Sequence, residues 1–268
     1  MPEPRNGAGK DRQFVTALAR GLEILRCFQA GDPALGNQDI AERTGLPKPT
    51  VSRLTHTLRE LGYLTYSSRT GTYQLGPGVL ALGYAMIASL EVREHVRPYL
   101  EELAGMANVT VALGTRDRLS VVYLDVCRGS QIITLSRNAG SRVPIATSAM
   151  GRAIMAALPE GERDYLLRAL RERDPENHRK VEKGVRDACD EIAEHGFCTS
   201  FGDWLPDVNA VAAPLVSLDG EHLYGINAGG PSFIVSREVL MNELGPRLAR
   251  IARDLSGPSL THRASGGK

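Results

Sequence analysis

Apolar residues in the first quarter of the chain recur with helical spacing. Phe14, Leu18, Leu22 and Leu25 stand four, four and three apart, with Ile24 and Phe28 beside them, and predict one amphipathic helix that Gly31-Asp32-Pro33 stops. Asn37 is placed to cap a short second helix and Gly45 to end it. A third helix opens with prolines, which suit a first turn, and carries Val51, Leu54, Leu58 and Leu61 as an inward stripe. Its opposite face centres on Ser52, Arg53 and His56, flanked by Lys48, Thr50 and Arg59, with one acid, Glu60, near the end. Thr55 and Thr57 fall nearer the core side and read as structural. Two β-prone runs, 63–66 and 72–75, surround a Gly-containing loop and predict a hairpin.

After Gly76-Pro77-Gly78, the residues Val79, Leu80, Leu82, Met86, Ile87 and Leu90 predict an apolar helix. It is either a linker that pairs two copies or a helix packed on its own domain. A further helix spans roughly 92–107. Strands are expected at 109–115, 120–127, 131–136, 197–201, 209–217 and 223–228, with helices at 148–158, 162–171 and 178–194. A closing helix over 236–255 puts Val239, Leu240, Leu244, Leu248, Ile251 and Leu255 on one face. Hairpin-like strand runs with interspersed helices imply an α+β fold on an antiparallel sheet. The expected division is a disordered tail at 1–12, a first domain at 13–76, a linker helix at 77–93, a second domain at 94–257 and a disordered tail at 258–268.

A short helix, a glycine turn, a second helix rich in hydroxyls and cations and then a hairpin is the layout of a winged helix-turn-helix. Phosphate contacts would set its affinity and base-edge contacts its sequence preference. Arg53 is the best-placed residue to grip guanine O6 and N7. The candidate contacts to a double-stranded DNA operator are Gln38, Lys48, Pro49, Thr50, Ser52, Arg53, His56, Arg59 and, at the wing tip, Arg69. One such module buries little DNA, so specific binding implies a homodimer or a dimer of dimers on a two-fold site.

Composition changes this picture little. The 268 residues suggest roughly two domains. With 42% hydrophobic and 24% charged residues the chain is ordinary for a globular protein. Residues 1–76 hold 10 Lys/Arg against 7 Asp/Glu, and 77–268 hold 22 against 24, so the slight basic excess lies on the candidate DNA reader. No apolar run approaches the ~20 residues that span a bilayer, so no membrane partner is expected. The polar start lacks a signal-peptide core, and the four cysteines are scattered without metal or disulfide spacing. A cytoplasmic protein with no cofactor and no metal is expected. GxSxG, HExxH, a Walker loop and a GxGxxG at a strand end are all missing, and His195 with Cys198 lacks an orienting third group.

A second site is read from Thr147 and Ser148, which precede Ala149-Met150-Gly151. Such a helix start offers open N–H groups and a favourable dipole to a carboxylate. Ser148 as a plain N-cap is the competing reading. Asn209 and Asn227 each sit in an otherwise apolar strand and need a partner, either a polar ligand or neighbouring backbone. Trp204, the single tryptophan, reads as a lid or as a loop anchor.

The order of these parts resembles the IclR family of bacterial transcription regulators. The resemblance runs from about Gln13 to Gly257. It is carried by 19–25 (ARGLEIL) with 45–54 (GLPKPTVSRL), by 144–153 (PIATSAMGRA), and by Gly196-Phe197 through 211–215 (VAAPL) with Gly229-Gly230-Pro231. It implies a winged helix-turn-helix joined to a GAF-like effector domain, assembled as dimers or dimers of dimers. It also implies that Ser148, Ala149, Met150, Ser200, Asn209, Ala210, Asn227 and Gly229 wall a cavity for a small organic acid. The chain departs from the family pattern at Ala146 and over 199–204. A ligand-free architectural DNA-binding protein, and an enzyme for small carboxylates with a DNA-binding appendage, remain as alternatives.

Overall fold

The structure is a computed structural model that describes residues 13–29, 31–129 and 137–257. The strand expected at 131–136 and both tails lie outside the described residues. The chain divides into two compact units between Ser89 and Leu90.

The first unit runs α1 (Thr16–Arg26), β1 (Leu35–Gly36), α2 (Asn37–Thr44), α3 (Lys48–Glu60), β2 (Leu64–Ser67), β3 (Thr72–Leu75) and α4 (Pro77–Ala88). Its three-stranded antiparallel sheet has the order β1-β3-β2. Ile24, Leu35, Ile40, Val51, Leu64 and Tyr73 form one small core. Gly45 ends α2 in the left-handed conformation, φ 68°, which glycine adopts at no steric cost. At the other end of α2 the cap differs from expectation. Asn37 is the first helical residue rather than the cap, and the Asp39 carboxylate accepts the Gly36 N–H at 2.8 Å. Arg43 ties α2 to the loop after α1 by pairing with Asp32 at 2.5 Å and donating to the Cys27 carbonyl at 3.0 Å.

The apolar stripe of α1 is only partly buried. Gly21 and Ile24 are buried, whereas Phe14, Leu18 and Leu22 are more than half exposed. The apolar arc of this helix is wider than the strip its small core can cover. The α3 stripe behaves similarly: Val51 is buried, Leu54 and Leu58 are half-buried, and Leu61 is 63% exposed just past the helix end. Thr55 is buried and donates its hydroxyl to the Val51 carbonyl at 2.9 Å, as a structural residue would. Thr57, expected to be its companion, is exposed. No residue of α4 is buried, and Leu80, Leu82, Tyr84 and Met86 are open.

The second unit runs α5 (Glu91–Ala107), β4 (Thr110–Asp117), β5 (Ser120–Arg128), β6 (Arg142–Pro144), α6 (Ala149–Ala157), α7 (Glu160–Arg173), α8 (His178–His195), β7 (Cys198–Phe201), β8 (Val208–Val216) and β9 (Leu223–Pro231). A helical turn α9 (Arg237–Val239) then passes through a π-helical turn, Leu240–Leu244, into α10 (Gly245–Leu255). The six strands pair antiparallel in the order β6-β5-β4-β9-β8-β7. The period of two along each strand sorts side chains onto two faces. Val211, Ala213 and Leu215 join Leu100, Leu103, Leu240 and Leu248 on the α5/α10 face. Ala210 and Ala212 join Met150, Ile154, Met155 and Val185 on the α6/α8 face. Two glycines let α6 lie close to the sheet, because a Cβ at Gly114 would stand 2.5 Å from Met150 Sδ and one at Gly225 2.7 Å from Met150 Cγ.

Strand parity breaks once in β5. Leu113 pairs with Asp125 and Gly114 with Tyr123, so Leu124 is an extra residue, a β-bulge. Tyr123 therefore packs on the α6 side, whereas Asp125 meets α5. Its buried carboxylate accepts from Arg93 Nε at 3.0 Å and from Arg97 Nη1 at 2.9 Å.

Candidate nucleic-acid interface and ligand cavity

The outward face of α3 is polar, basic and open. Lys48, Pro49, Ser52, Arg53, His56 and Arg59 are exposed, and Thr50 is half-buried. Arg59 is partly engaged, since it pairs with Glu60 at 2.5 Å and its Nη2 lies 3.3 Å from His56 Nδ1. No ion pair or side-chain hydrogen bond holds Arg53 or Lys48 among the described residues, so both cations are available to another molecule. Gln38 is exposed on α2 and bonds Glu42. Arg69 lies exposed between β2 and β3. All nine sequence candidates thus stand on the surface of one unit, most of them on one helix.

In the second unit, one cavity opens where the start of α6 faces β4, β5, β8 and β9. It is lined by Thr110, Tyr123, Arg137, Ser148, Ala149, Ser200, Trp204, Val208, Ala210, Asn227 and Gly229. Its free space is about 20 Å3, room for little more than a water molecule. Ser148 caps α6, accepting the Gly151 N–H at 3.1 Å and donating to the Pro144 carbonyl at 2.6 Å. Its hydroxyl is thus spent on the fold, while the first N–H groups of the helix have no acceptor within it. Ser200 donates to the Thr147 carbonyl at 2.8 Å. Burial pushes the Tyr123 phenol up to about 12, opposed chiefly by hydrogen bonding from the Asn227 side chain, so it stays a neutral donor.

Six of the eight residues predicted for this site meet here: Ser148, Ala149, Ser200, Ala210, Asn227 and Gly229. Met150 does not, because its side chain turns to the sheet over Gly114 and Gly225. Asn209 does not either. It follows Val208 and precedes Ala210, both on the cavity side, so the strand turns it to the other face, where its amide donates to the Val235 carbonyl at 3.1 Å. The two asparagines therefore divide. Asn209 is satisfied by backbone, whereas Asn227 Oδ1 is buried with no partner, as is Thr110 Oγ1. Sequence reasoning missed Thr110, Tyr123, Arg137 and Val208. Thr110 carried a readable sign, a lone hydroxyl entering an apolar strand.

The loop after β7 is held from below by Arg152. This buried guanidinium donates to the carbonyls of Ala146 and Thr199, each at 3.2 Å, and pairs with Asp203 at 2.8 Å. Asp203 therefore anchors the loop, and Trp204 forms part of the cavity wall with the Arg137 guanidinium 5.3 Å from its ring centre. The thiol–imidazole pair is not formed. Cys198 is fully enclosed and donates to the Ala149 carbonyl at 3.4 Å, and burial raises its pKa, while His195 stacks near Phe197 at the surface. Among the described residues, one grouping has the closeness of metal ligands, the exposed turn Asp219, Glu221 and His222, and Asp219 is already bonded to Ser217 and to the Glu221 N–H. No helix among them is long and apolar enough to cross a membrane.

The family models for the IclR helix-turn-helix domain and the bacterial transcriptional regulator IclR C-terminal domain match residues 17–68 and 84–257. The chain belongs to the IclR family of bacterial transcriptional regulators. It is 36% identical to the HTH-type transcriptional regulator TsaQ1/TsaQ2 of Comamonas testosteroni, over 90% of this chain and 87% of that one. The crystal structure of an IclR-family regulator from Brucella abortus is similar with a TM-score of 0.86 and 49% identity, covering 92% and 94% of the two chains. An IclR homologue from Microbacterium hydrocarbonoxydans, solved with 4-hydroxybenzoate, shares the fold at 20% identity and a TM-score of 0.66 over 89% and 95%. This IclR-family regulator is thus a transcription factor with a helix-turn-helix DNA-binding domain, and not an enzyme.

Proposed function

We propose that this regulator reads a two-fold DNA operator as a homodimer or a dimer of dimers, and that a small organic acid entering the α6 cavity modulates that binding. The DNA-reading face is α3, with Arg53 and Lys48 as its free cations, Ser52, Thr50 and His56 beside them, and Arg69 reaching phosphate from the wing. Gln38, Pro49 and Arg59 complete the contact surface. The observation that carries this reading is the pairing of an unengaged cationic helix face with a small core that buries only part of its apolar residues. Leu18 and Leu22 on α1, with Leu80, Leu82, Tyr84 and Met86 on α4, form apolar surface that a second copy would cover. That favours the dimer-forming role for α4 over packing on its own domain.

The acid is received by the free N–H groups and the positive end of α6, in the cavity that Ser148, Ala149, Ser200, Ala210, Asn227 and Gly229 share. Anything larger than water must displace the wall made by Trp204 and Arg137. An occupant that prefers one arrangement of the second unit then biases the spacing of the reading heads. The homologue solved with 4-hydroxybenzoate supports a carboxylate as the kind of occupant.

The test is selection of duplexes from a random pool by the full chain. A two-fold site with half-sites about one helical turn apart, or a multiple of that, is expected. Arg53→Ala should lower affinity for it by about 1–3 kcal/mol and relax one base position. An asymmetric consensus, or an Arg53→Ala protein with unchanged affinity and preference, would overturn the assignment of α3.

A further inference from the structure

Thr110 and Asn227 belong to neighbouring strands and to the same face of the sheet. Thr110 pairs with Gly229 and Ala112 with Asn227, so the two lie on a diagonal, both facing α6. Thr110 is only 6% exposed. Its Oγ1 and the Oδ1 of Asn227 are the buried side-chain polar atoms without a partner among the described residues, and both stand in one cavity. Elsewhere in this unit buried polar groups are satisfied, as Asn209, Ser148, Ser200 and Arg152 show. Two orphaned atoms converging on one small space are a polar surface left open for something other than the fold.

The chemistry of the orphans is specific. An amide oxygen only accepts, so whatever meets Asn227 Oδ1 must donate a hydrogen bond. A hydroxyl and an ammonium group both could. No acidic residue lines the cavity, while the Arg137 guanidinium does, so an ammonium group would enter without a counter-charge and against a cation. A hydroxyl carries no such cost and suits Thr110, whose own hydroxyl can donate to it or accept from it.

We propose that the occupant of this cavity is a hydroxy acid, and that Asn227 and Thr110 are the specificity residues that receive its hydroxyl. The inference rests on the reading of the cavity as an organic-acid site and adds the second functional group. The carboxylate end is held at the start of α6, and the hydroxyl donates to Asn227 Oδ1 beside Thr110 Oγ1. A deoxy analogue leaves both atoms buried and unpaired, which is how a polar site rejects a ligand lacking one hydroxyl.

Titration of the full-length protein, read by Trp204 fluorescence and by melting temperature, tests this with matched sets. In one set 4-hydroxybenzoate is compared with benzoate, 4-methoxybenzoate and 4-hydroxybenzamide. In another, lactate is compared with propanoate and lactamide. In whichever scaffold fits, the hydroxy acid should bind at least about tenfold more tightly than its deoxy partner. The methoxy analogue, which accepts but cannot donate, should behave as the deoxy acid. In Asn227→Ala and Thr110→Val the preference should shrink to within about threefold. Equal binding of hydroxy, deoxy and methoxy acids in the unmodified protein overturns the inference but leaves the organic-acid reading standing, and this comparison needs no variant to fold. A hydroxy amide that binds as well as its acid overturns the organic-acid reading and leaves the hydroxyl contact standing. No response to any member, from protein that still binds DNA, overturns both.

Discussion

The two units solve the problem of burying apolar surface in opposite ways. The second packs most of its apolar residues against the two faces of one sheet. Its sheet is packed on both faces, its buried cation Arg152 pairs with Asp203 and two carbonyls, and the cavity at the start of α6 is narrowed to about a water's volume. The first has a single six-residue core and leaves apolar side chains of α1 and α4 in the open beside an unengaged basic helix face. A region that leaves both apolar and cationic surface unmatched is suited to being completed by other molecules. This contrast, more than charge balance, separates the second unit from the DNA-binding one.

The largest effect expected from breaking the contrast is at Arg152. Arg152→Ala should lower the stability of the second unit by about 3 kcal/mol or more, since Asp203 and two carbonyls lose their donor in a buried setting. Calorimetry should show that loss while the first unit keeps its own transition. A drop below about 1 kcal/mol would mean the strut is dispensable. Next in size, Leu18→Asp with Leu82→Asp should weaken self-association by tenfold or more in sedimentation, with little change in the helicity of the monomer, because both side chains are exposed within it. Unaltered association would show that these faces are not where copies meet.

Smaller still, Thr55→Val should cost about 1 kcal/mol, as the buried hydroxyl bond to Val51 is lost at nearly constant shape. Thr57→Val, at an exposed position, should change stability by less than about 0.5 kcal/mol in the same denaturant titration. The least effect is expected at Asp32. Hydrogen bonding from Arg43 holds its carboxyl below the usual carboxylate range. A depressed folded pKa means the stabilisation is present at neutral pH and is lost as pH falls through that lowered value. The melting difference between the unmodified protein and Asp32→Asn should therefore shrink on acidification below about pH 4, where the unfolded carboxyl protonates. A difference that grew instead would reverse the assigned sign.

How far the chain could be read from its letters depended on how local each determinant is. The α3 face was legible because helical periodicity alone sorts Ser52, Arg53 and His56 from Val51 and Leu54. The width of the α1 arc was legible too, but which part of it is covered depends on a core assembled from five other elements. β1 and β6 are two and three residues long and give no periodic signal. Met150 and Asn209 were misplaced for geometric reasons. Neighbouring strand residues cannot share a face, so Asn209 and Ala210 could not both line one cavity, and Met150 follows the bare glycines of the sheet. Asn209 and Asn227 look alike in sequence, and the carbonyl of Val235, 26 residues onward, is what separates them. Thr110 carried a sign of its own, a lone hydroxyl entering an apolar strand, but that it is left without a partner appears only once β4 and β9 are side by side.

The extra residue Leu124 has a mechanical side. By spending one peptide unit off the ladder, strand β5 turns adjacent backbone toward opposite layers, so Tyr123 touches the interior void while Asp125 is gripped by Arg93 and Arg97 at the root of α5. One bulge thus sets a residue of the cavity wall two positions along the chain from the carboxylate that holds α5.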